Sequence, residues 1–290
     1  MFDSDARAAR PEIRYEAEAA SVEVAEEPIR GWRRLYAHGA FRKAVVLLAL
    51  AALWEIYARL LGNPLVFPTL SATVAALAAG TASGELPRAA LYTISLLLEG
   101  YAAGLAVAAL LTALAAATRI GADLLETLTA MFNPLPSIAL LPLALIWFGL
   151  GSGSVVFVLI HAVLWSVALA TLTGFRSVGP TLRMVGRNYG LSGLSYIARL
   201  LVPAAFPSIL TGLKVGWAFA WRTLIAAELV FGVSSGSGGL GWYVFEKKNQ
   251  LLIPEVFAGL LTVILFGLLV ENVVFRVIEH RTVKRWGMQA

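Results

Sequence analysis

Two charged side chains, Arg222 and Glu228, lie within one long apolar stretch of this sequence. Ionisable groups are costly in an apolar environment, so those that occur there are candidates for function. The planar fork of an arginine can hold a carboxylate, sulfonate or nitrate group through paired hydrogen bonds. Six positions along a helix correspond to a rotation of about 240°, so the two side chains do not face each other. Each could therefore line a pathway or pair with a different helix.

Four other ionisable residues occur in or near apolar stretches: Glu55, Glu99, His161 and Glu271. For these we predict structural roles, in which hydrogen bonds or ion pairs satisfy the side chains. The sequence has no cysteine, and its three histidines lack the spacing of metal ligands. It also shows no cluster of acid, base and nucleophile. We therefore predict neither a metal site nor a catalytic residue.

The composition places these residues in a membrane. With 59% hydrophobic residues, 14% charged residues and a mean hydropathy of +0.76 over 290 positions, the chain is too apolar for one soluble core. Stretches that approach the length of about 20 apolar residues needed to cross a bilayer are predicted as spans. They are 44–61, 92–117, 128–150, 155–174, 209–233 and 256–278.

The basic residues predict the orientation of these six spans. Six is an even number, so both termini lie on the same side of the membrane. Lys and Arg concentrate before the first span, after the fourth and after the sixth, which favours the cytoplasm for those segments. The net charge of +5 then reflects orientation rather than nucleic-acid binding. We predict a disordered cytoplasmic tail at residues 1–40, a transmembrane domain at 41–285 and a C-terminal tail at 286–290.

Two segments are predicted on the non-cytoplasmic side. In the first, Ser71 begins a short helix that lies at the membrane interface. The second contains Gly236, Gly238 and Gly241, which match the spacing of a dinucleotide-binding fingerprint. That fingerprint requires a strand before it and a helix after it, whereas this match follows a membrane span. We therefore interpret it as a loop that enters an interfacial Trp242-Tyr243 anchor.

A polar segment of about thirty residues, 176–207, connects the fourth and fifth spans. Apolar residues recur there at steps of three and four, and the pattern is interrupted at Gly190 and Gly193. This predicts two short amphipathic helices that meet at glycine. From the residues alone, such helices could bind a soluble partner or lie on the lipid surface.

This segment resembles the cytoplasmic loop of permease subunits of bacterial ABC importers. The motif of that loop has Glu-Ala-Ala, a glycine four positions later, and an aliphatic pair with a proline that lies thirteen positions after the glycine. When Pro203 is aligned with the proline, Gly190 falls on the glycine, and Leu200 and Val202 fall on the aliphatic pair. The glycine, the proline and the aliphatic character match.

The triplet of the motif does not match, because Met184, Val185 and Gly186 stand at its three positions. In the family, the glutamate of the triplet can contribute polar contacts to the ATPase. Arg183 and Arg187 lie one helical turn apart and are predicted to supply such a contact here.

Four further stretches resemble the nitrate, sulfonate and taurine branch of these permeases and extend the likeness from about residue 54 to residue 285. They are "FPTLSATVAAL", "NPLPSIALLPLALIWFGLG", "PAAFPSILTGLKVGWAFAWRTLIAAEL" and "GSGGLGW". The resemblance implies an all-α membrane protein with the type I ABC importer permease fold, six transmembrane helices and both termini in the cytoplasm. It also implies a location in the bacterial inner membrane.

The resemblance implies partners as well. Two copies of the chain would sit on two ATPase subunits, and a substrate-binding protein would deliver a small solute from outside, such as sulfonate, taurine, nitrate, bicarbonate or an aromatic acid. Segment 176–207 would couple the spans to the ATPase, and Arg222 and Glu228 would be candidates for the wall of the passage. The chain has no phosphate-binding Lys-Ser/Thr loop, so ATP and Mg²⁺ would bind to the partner and no cofactor to this chain.

Two other classes of protein compete with this interpretation. An ion-coupled secondary transporter would use broken helices in repeated halves. Pro134, Pro136 and Pro142 could break one span, but the other half has no counterpart. A membrane-embedded enzyme would need a catalytic constellation, which the sequence lacks.

Overall fold

The computed structural model of the chain describes residues 38–231, 238–285 and 287, and every regular element in that part is helical. The helices are α1 Gly39–Leu61, α2 Leu70–Ala82, α3 Glu85–Ala117, α4 Arg119–Phe132, α5 Leu141–Phe148, α6 Ser152–Ser177, α7 Pro180–Asn188, α8 Gly193–Ala204, α9 Phe206–Phe231, α10 Leu240–Asn249 and α11 Ile253–Lys284. This confirms the all-α prediction. Except for residues 38–40 and Gly287, the predicted tails at 1–40 and 286–290 lie outside the described residues.

The chain divides into two compact units, Met1–Leu50 and Ala51–Ala290. In the first unit the structure describes residues 38–50, which include the N-terminal half of α1. Its apolar side chains, such as Leu47 and Leu48, are exposed. An exposed apolar helix of this kind suits contact with lipid. The elements described below belong to the second unit.

Four helices are long and apolar enough to cross a bilayer alone: α1, α3, α6 and α11. Two bent pairs meet the same criteria of length and apolar composition only when their two helices are counted together. In one pair α4 meets Ser137–Phe148 at 89°, and in the other α8 meets α9 at 79°. With each pair counted as one crossing, the described residues contain the six predicted spans.

The sequence "NPLP" at residues 133–136 causes the first bend. Pro134 and Pro136 have no backbone N–H to donate, so a helix cannot continue through them unchanged. Helix α4 ends at Phe132, and a 3-10 turn at Ser137–Leu140 leads into α5. The break that the prolines were predicted to allow is present, and the span predicted over residues 128–150 corresponds to this bent pair.

Small residues bring the central helices together. Cβ atoms added to Gly100 and Gly104 of α3 would lie 2.5 Å from Leu159 Cβ and 2.8 Å from Val163 Cβ of α6. On the other side of α6, a Cβ added to Gly212 of α9 would lie 2.6 Å from the side chain of Ala170. Glycines spaced by four residues permit this close approach between membrane helices. Helix α6 is therefore packed between α3 and α9.

The predicted short helix before the second span is present as α2, but it begins earlier than predicted. Thr69 caps it by accepting a hydrogen bond from the backbone N–H of Ala72 at 3.2 Å. Ser71 instead donates its hydroxyl to Glu55 Oε1 at 2.9 Å and its backbone N–H to Glu55 Oε2 at 3.0 Å. Glu55 also pairs with Arg59 on α1. The predicted structural role of Glu55 is confirmed.

Helix α10 lies in the connection between the last two crossings and packs against α3, α9 and α11. Its buried residues Leu240, Tyr243 and Val244 form a core with Leu86 and the neighbouring alanines of α3. Burial raises the pKa of Tyr243 to about 12, with smaller contributions from Glu85 and Glu255. The phenol therefore stays neutral at physiological pH.

Candidate functional site

Residues 176–207, which we call the coupling loop after the predicted role, contain the end of α6, then α7 and α8 with a glycine turn between them, and the first two residues of α9. Gly190 has φ +74°, its N–H donates to the carbonyl of Arg187 at 2.9 Å, and the N–H of Leu191 donates to the carbonyl of Gly186 at 3.0 Å. This pair of bonds is the Schellman arrangement that ends a helix at a left-handed glycine. The prediction of two short helices that meet at glycine is confirmed.

Close contact between α7 and α8 holds the loop together. A Cβ added to Gly186 would lie 2.5 Å from Leu200 Cδ1 and 3.5 Å from the ring of Tyr196. Leu200 is itself buried, in a core with Phe175 and Val178 at the end of α6. At the third position of the motif's triplet, even the Cβ of an alanine would therefore require the Leu200 side chain to shift, so glycine fits this position best.

The two arginines of α7 have different surroundings. Arg183 donates its Nε to the carbonyl of Val178 at 3.0 Å and its Nη2 to the carbonyl of Phe175. It thereby satisfies carbonyl groups at the C-terminal end of α6, where a positive charge is favourable. Arg187 is exposed, with no ion pair to another described residue. Of the pair predicted to contact a partner, Arg187 is thus the one whose side chain is available.

Five large hydrophobic residues of α7, the following turn and α8 are exposed, and we call this set the coupling patch. Its residues are Leu182, Met184, Val185, Tyr189 and Leu194. Tyr189 is 84% exposed and Leu194 is 77% exposed. Val202 and Pro203 of the motif are also exposed, farther along α8. Exposed apolar patches rimmed by charge mark sites that bind another protein or a membrane.

A cavity of about 910 Å³ opens between the α4–α5 bend, α6 and α9. Most of its wall is apolar, and a minority of polar side chains reaches it. The polar residues of the wall are Asn133, Ser137, His161, Ser166, Thr173, Ser208, Thr211, Arg222 and Thr223. A mainly apolar cavity with a few convergent polar groups is the usual form of a small-molecule site.

Among the described residues, Arg222 is the one lysine, arginine or carboxylate residue on the wall of this cavity. Its Nε donates to the carbonyl of Ala218 at 3.1 Å, and its guanidinium lies 5.4 Å from the centre of the Phe219 ring. In the described part of the chain, no carboxylate lies within 4.0 Å of it. A positive charge without a counter-ion in a membrane helix can attract an anion.

His161 and Trp165 lie one helical turn apart on α6, on the same wall. His161 Nδ1 is 3.2 Å from Ser137 Oγ, but its Nε2 and the Nε1 of Trp165 have no hydrogen-bond partner among the described residues. The ring of Phe132 stacks on Trp165 with centres 5.6 Å apart. Buried polar atoms without partners are uncommon and call for an explanation.

Glu228 lies away from this cavity. It is only 5% exposed and does not belong to the cavity wall. Both of its carboxylate oxygens accept from Thr93 Oγ1, at 2.9 and 3.0 Å, and Oε2 also accepts from the N–H of Gly241 at 2.8 Å. The structure therefore separates the two residues that the sequence proposed together. Arg222 faces open space, and Glu228 is bonded inside the protein.

Several apolar helices of membrane-spanning length, a loop of two short helices with exposed apolar residues, and an open cavity with a cation on its wall are the features of a multi-pass membrane protein. Residues 100–284 match the family described as binding-protein-dependent transport system inner membrane component. The match covers more than half of the chain, so the chain belongs to this family. It is thus an ABC transporter permease subunit and a multi-pass inner-membrane protein, and the resemblance predicted from the sequence is confirmed.

Individual relatives support the same family. The chain is 30% identical over 241 residues to a protein of Methanocaldococcus jannaschii named as an ABC transporter permease. The match covers 80% of this chain and 88% of the relative. It is 32% identical over 148 residues to the taurine transport system permease of Escherichia coli, covering 51% of this chain and 52% of the relative. It is 30% identical over 173 residues to the nitrate import permease of a Synechocystis strain, and the match covers 60% of this chain and 62% of the relative.

Sequence reasoning missed three features of these sites. It assigned no role to Thr93, whose partner Glu228 is 135 positions away. It treated His161 as packed or hydrogen-bonded and did not single out Trp165, although both line the cavity. It also passed over the four-residue spacing of Gly100 with Gly104 and of Gly212 with Gly216. That spacing could have identified the packed faces of α3 and α9.

Proposed function

We propose that this chain forms the passage of an ATP-driven importer for a small anion. The unpaired Arg222 on the wall of the cavity between α6 and α9 carries this proposal. The relatives named for taurine and nitrate transport handle solutes that carry a sulfonate group or a nitrate ion. Both groups fit the fork of an arginine. Organic carboxylates and bicarbonate have the same chemistry and belong to the same class of candidates.

The chain would work as part of a larger complex. We propose that two copies face each other across the cavity and that each coupling patch seats on an ATPase subunit. An apolar groove would suit Met184, Tyr189 and Leu194, and an acidic side chain would suit Arg187. ATP and Mg²⁺ bind to that partner, and a substrate-binding protein delivers the solute to the opposite face of the membrane.

The passage offers more than one polar group to the solute. Arg222 would provide charge, and wall hydroxyl groups such as that of Ser166 on the neighbouring helix α6 would provide hydrogen bonds. An apolar wall around a few donors holds an anion weakly enough to release it. An ion-coupled carrier, the alternative considered from the sequence, is favoured by none of these features.

Substitution of Arg222 tests the proposal. Cells that contain the whole transporter would be assayed for uptake of radiolabelled taurine, nitrate and bicarbonate. Recovery of the ATPase with tagged permease would be measured in parallel. We expect Arg222→Ala to lower uptake of the transported anion at least tenfold while recovery stays normal, and Arg222→Lys to have an intermediate effect, because lysine keeps the charge but not the fork.

Arg88→Ala is the matched control. Arg88 also donates its Nε to the carbonyl four residues earlier, at 3.0 Å, but it lies at the start of α3 and outside the cavity wall. Its replacement should leave uptake unchanged. If Arg222→Ala lowers uptake only in step with recovery of the complex, Arg222 is a structural residue and the anion passage is refuted.

A further inference from the structure

The first turn of α10 is capped by residues of two other helices. Its N-cap residue is Gly239, which has no side chain to accept hydrogen bonds from the first N–H groups of the helix. The N–H of Leu240 donates instead to Thr93 Oγ1 of α3, at 2.8 Å. The N–H of Gly241 donates to Glu228 Oε2 of α9, also at 2.8 Å. Because Thr93 in turn donates its hydroxyl to Glu228, three helices meet in one hydrogen-bonded unit.

The chain is shaped to bring this carboxylate to the helix start. A Cβ at Gly239 would lie 2.0 Å from Glu228 Oε1, and a Cβ at Gly241 would lie 2.6 Å from both Glu228 Cβ and the carbonyl oxygen of Ile225. Both positions therefore require glycine. The positive end of the α10 dipole faces the carboxylate, which favours a negative charge at this point.

Glu228 lies on the same helix as Arg222, six residues farther along. We call the hydrogen-bonded unit of Glu228, Thr93 and the first turn of α10 the clasp. At 1.5 Å per residue, Glu228 lies about 9 Å from Arg222 along the axis of α9. Helix α9 has 26 residues and is about 39 Å long, with the coupling loop before its first residue and α10 after its last. The clasp thus joins the passage to the end of α9 opposite the coupling loop.

We propose that Glu228 is a positioning residue that makes α10 and α9 move as one unit. A displacement of α10 by a partner that docks on its face of the membrane would then displace the wall that carries Arg222. Glu228 contacts no solute in this role. The inference rests on the proposed function only where it identifies α9 as a wall of the passage.

The native absence of cysteine permits a direct test of the clasp. Val244 of α10 is 6% exposed and lies in the core between α10 and α3. In the otherwise cysteine-free complex, purified in lipid nanodiscs, a Val244→Cys thiol should react slowly with a hydrophilic maleimide. We expect Glu228→Gln, which replaces one acceptor oxygen by an NH₂ donor and removes the charge, and Thr93→Val, which removes the acceptor of the Leu240 N–H, each to speed that reaction at least tenfold. Thr93→Ser keeps the hydroxyl, so labelling in that variant should be as slow as with native Thr93.

The control for labelling is Glu246→Gln, which removes a carboxylate from α10 that touches only Gln250 within the described residues. It should leave the reaction slow. If the Glu228→Gln complex fails to assemble, the comparison of Thr93→Val with Thr93→Ser decides the outcome. Unchanged labelling in every assembled variant would overturn the proposal.

Transport supplies the second readout. A positioning residue should lower the maximal rate of uptake in Glu228→Gln and leave the KM for the transported anion unchanged. A changed KM together with slow labelling would mean that Glu228 contacts the solute, which contradicts the proposal. Labelling does not depend on which solute is carried. Failure of the anion passage would therefore appear in uptake alone, whereas failure of the clasp would appear in labelling.

Discussion

The coupling loop and the start of α10 lie at opposite ends of α9, and they are stabilised in opposite ways. The loop is closed by apolar packing around Leu200 and by a glycine turn, and it leaves Tyr189 and Leu194 exposed. The α10 start is closed by the buried Glu228 and by Thr93. One end of the helix therefore leads to an exposed apolar surface, and the other end is hydrogen-bonded within its own chain.

The two regions also differ in how far apart their contacting residues are in the sequence. The bonds that form the loop turn connect residues three and five positions apart, from Gly190 to Arg187 and from Leu191 to Gly186. The bond between Thr93 and Glu228 spans 135 positions. Local contacts can form in an isolated segment, whereas the clasp exists only after α3, α9 and α10 have packed. Three glycines allow this comparison to be tested.

The largest effect is expected for Gly241→Val. A Cβ there would lie 2.6 Å from the carbonyl oxygen of Ile225 and 3.1 Å from the backbone nitrogen of Leu229. Backbone atoms of α9 cannot move aside as a side-chain end can, so the cost should reach or exceed the upper end of the roughly 1–3 kcal/mol typical of overpacking. We expect little permease in the membrane and a lowered Tm of the purified protein.

Gly179→Ala is the control for this substitution. Gly179 has φ −58°, and a Cβ there would meet nothing within 4 Å. Its membrane content and Tm should stay native. Native values for Gly241→Val would show that α9 and α10 are less tightly joined than the clasp requires.

A smaller and more local effect is expected for Gly186→Val. The nearest atom to its Cβ is the end of the Leu200 side chain, at 2.5 Å, so the loop can shift rather than unfold. The permease should insert normally, and co-purification should recover at least tenfold less ATPase. Adding Leu200→Ala creates space for the valine and should restore part of the association, as expected for residues in contact. Equal association for native and Gly186→Val complexes would contradict this account.

The smallest effect is expected at Gly190, where a Cβ would meet no neighbour within 4 Å and only φ +74° matters. Alanine in the left-handed region costs about 1 kcal/mol, and a β-branched residue costs more. We expect Gly190→Ala to weaken coupling on the order of fivefold, Gly190→Val to weaken it further, and Gly190→Asn to stay closest to native.

The Gly190 series would be measured on reconstituted complexes. ATPase association, hydrolysis stimulated by the binding protein, and uptake would be compared in the same preparations. Native values of all three for Gly190→Val would show that this turn plays no part in coupling.

Features that depend on neighbouring residues were predictable from the sequence. The apolar lengths gave the crossings, although Pro134 and Pro136 divide the third one more sharply than the apolar pattern shows. The interrupted periodicity at Gly190 and Gly193 predicted the two helices of the coupling loop. The cytoplasmic side of the termini depends on charge alone and remains a prediction.

The sequence by itself determined that this chain is a helical membrane protein with a structured polar loop, because hydrophobic length, proline and glycine act locally. Only the tertiary structure decided what the charged residues do. In the sequence, Arg222 and Glu228 are both single charged residues within one apolar stretch, and nothing there shows that their surroundings differ. Packing of α3, α6, α9 and α10 leaves the guanidinium beside a cavity and encloses the carboxylate among hydrogen-bond donors. Those donors come from distant segments, and no local pattern specifies which of them will meet.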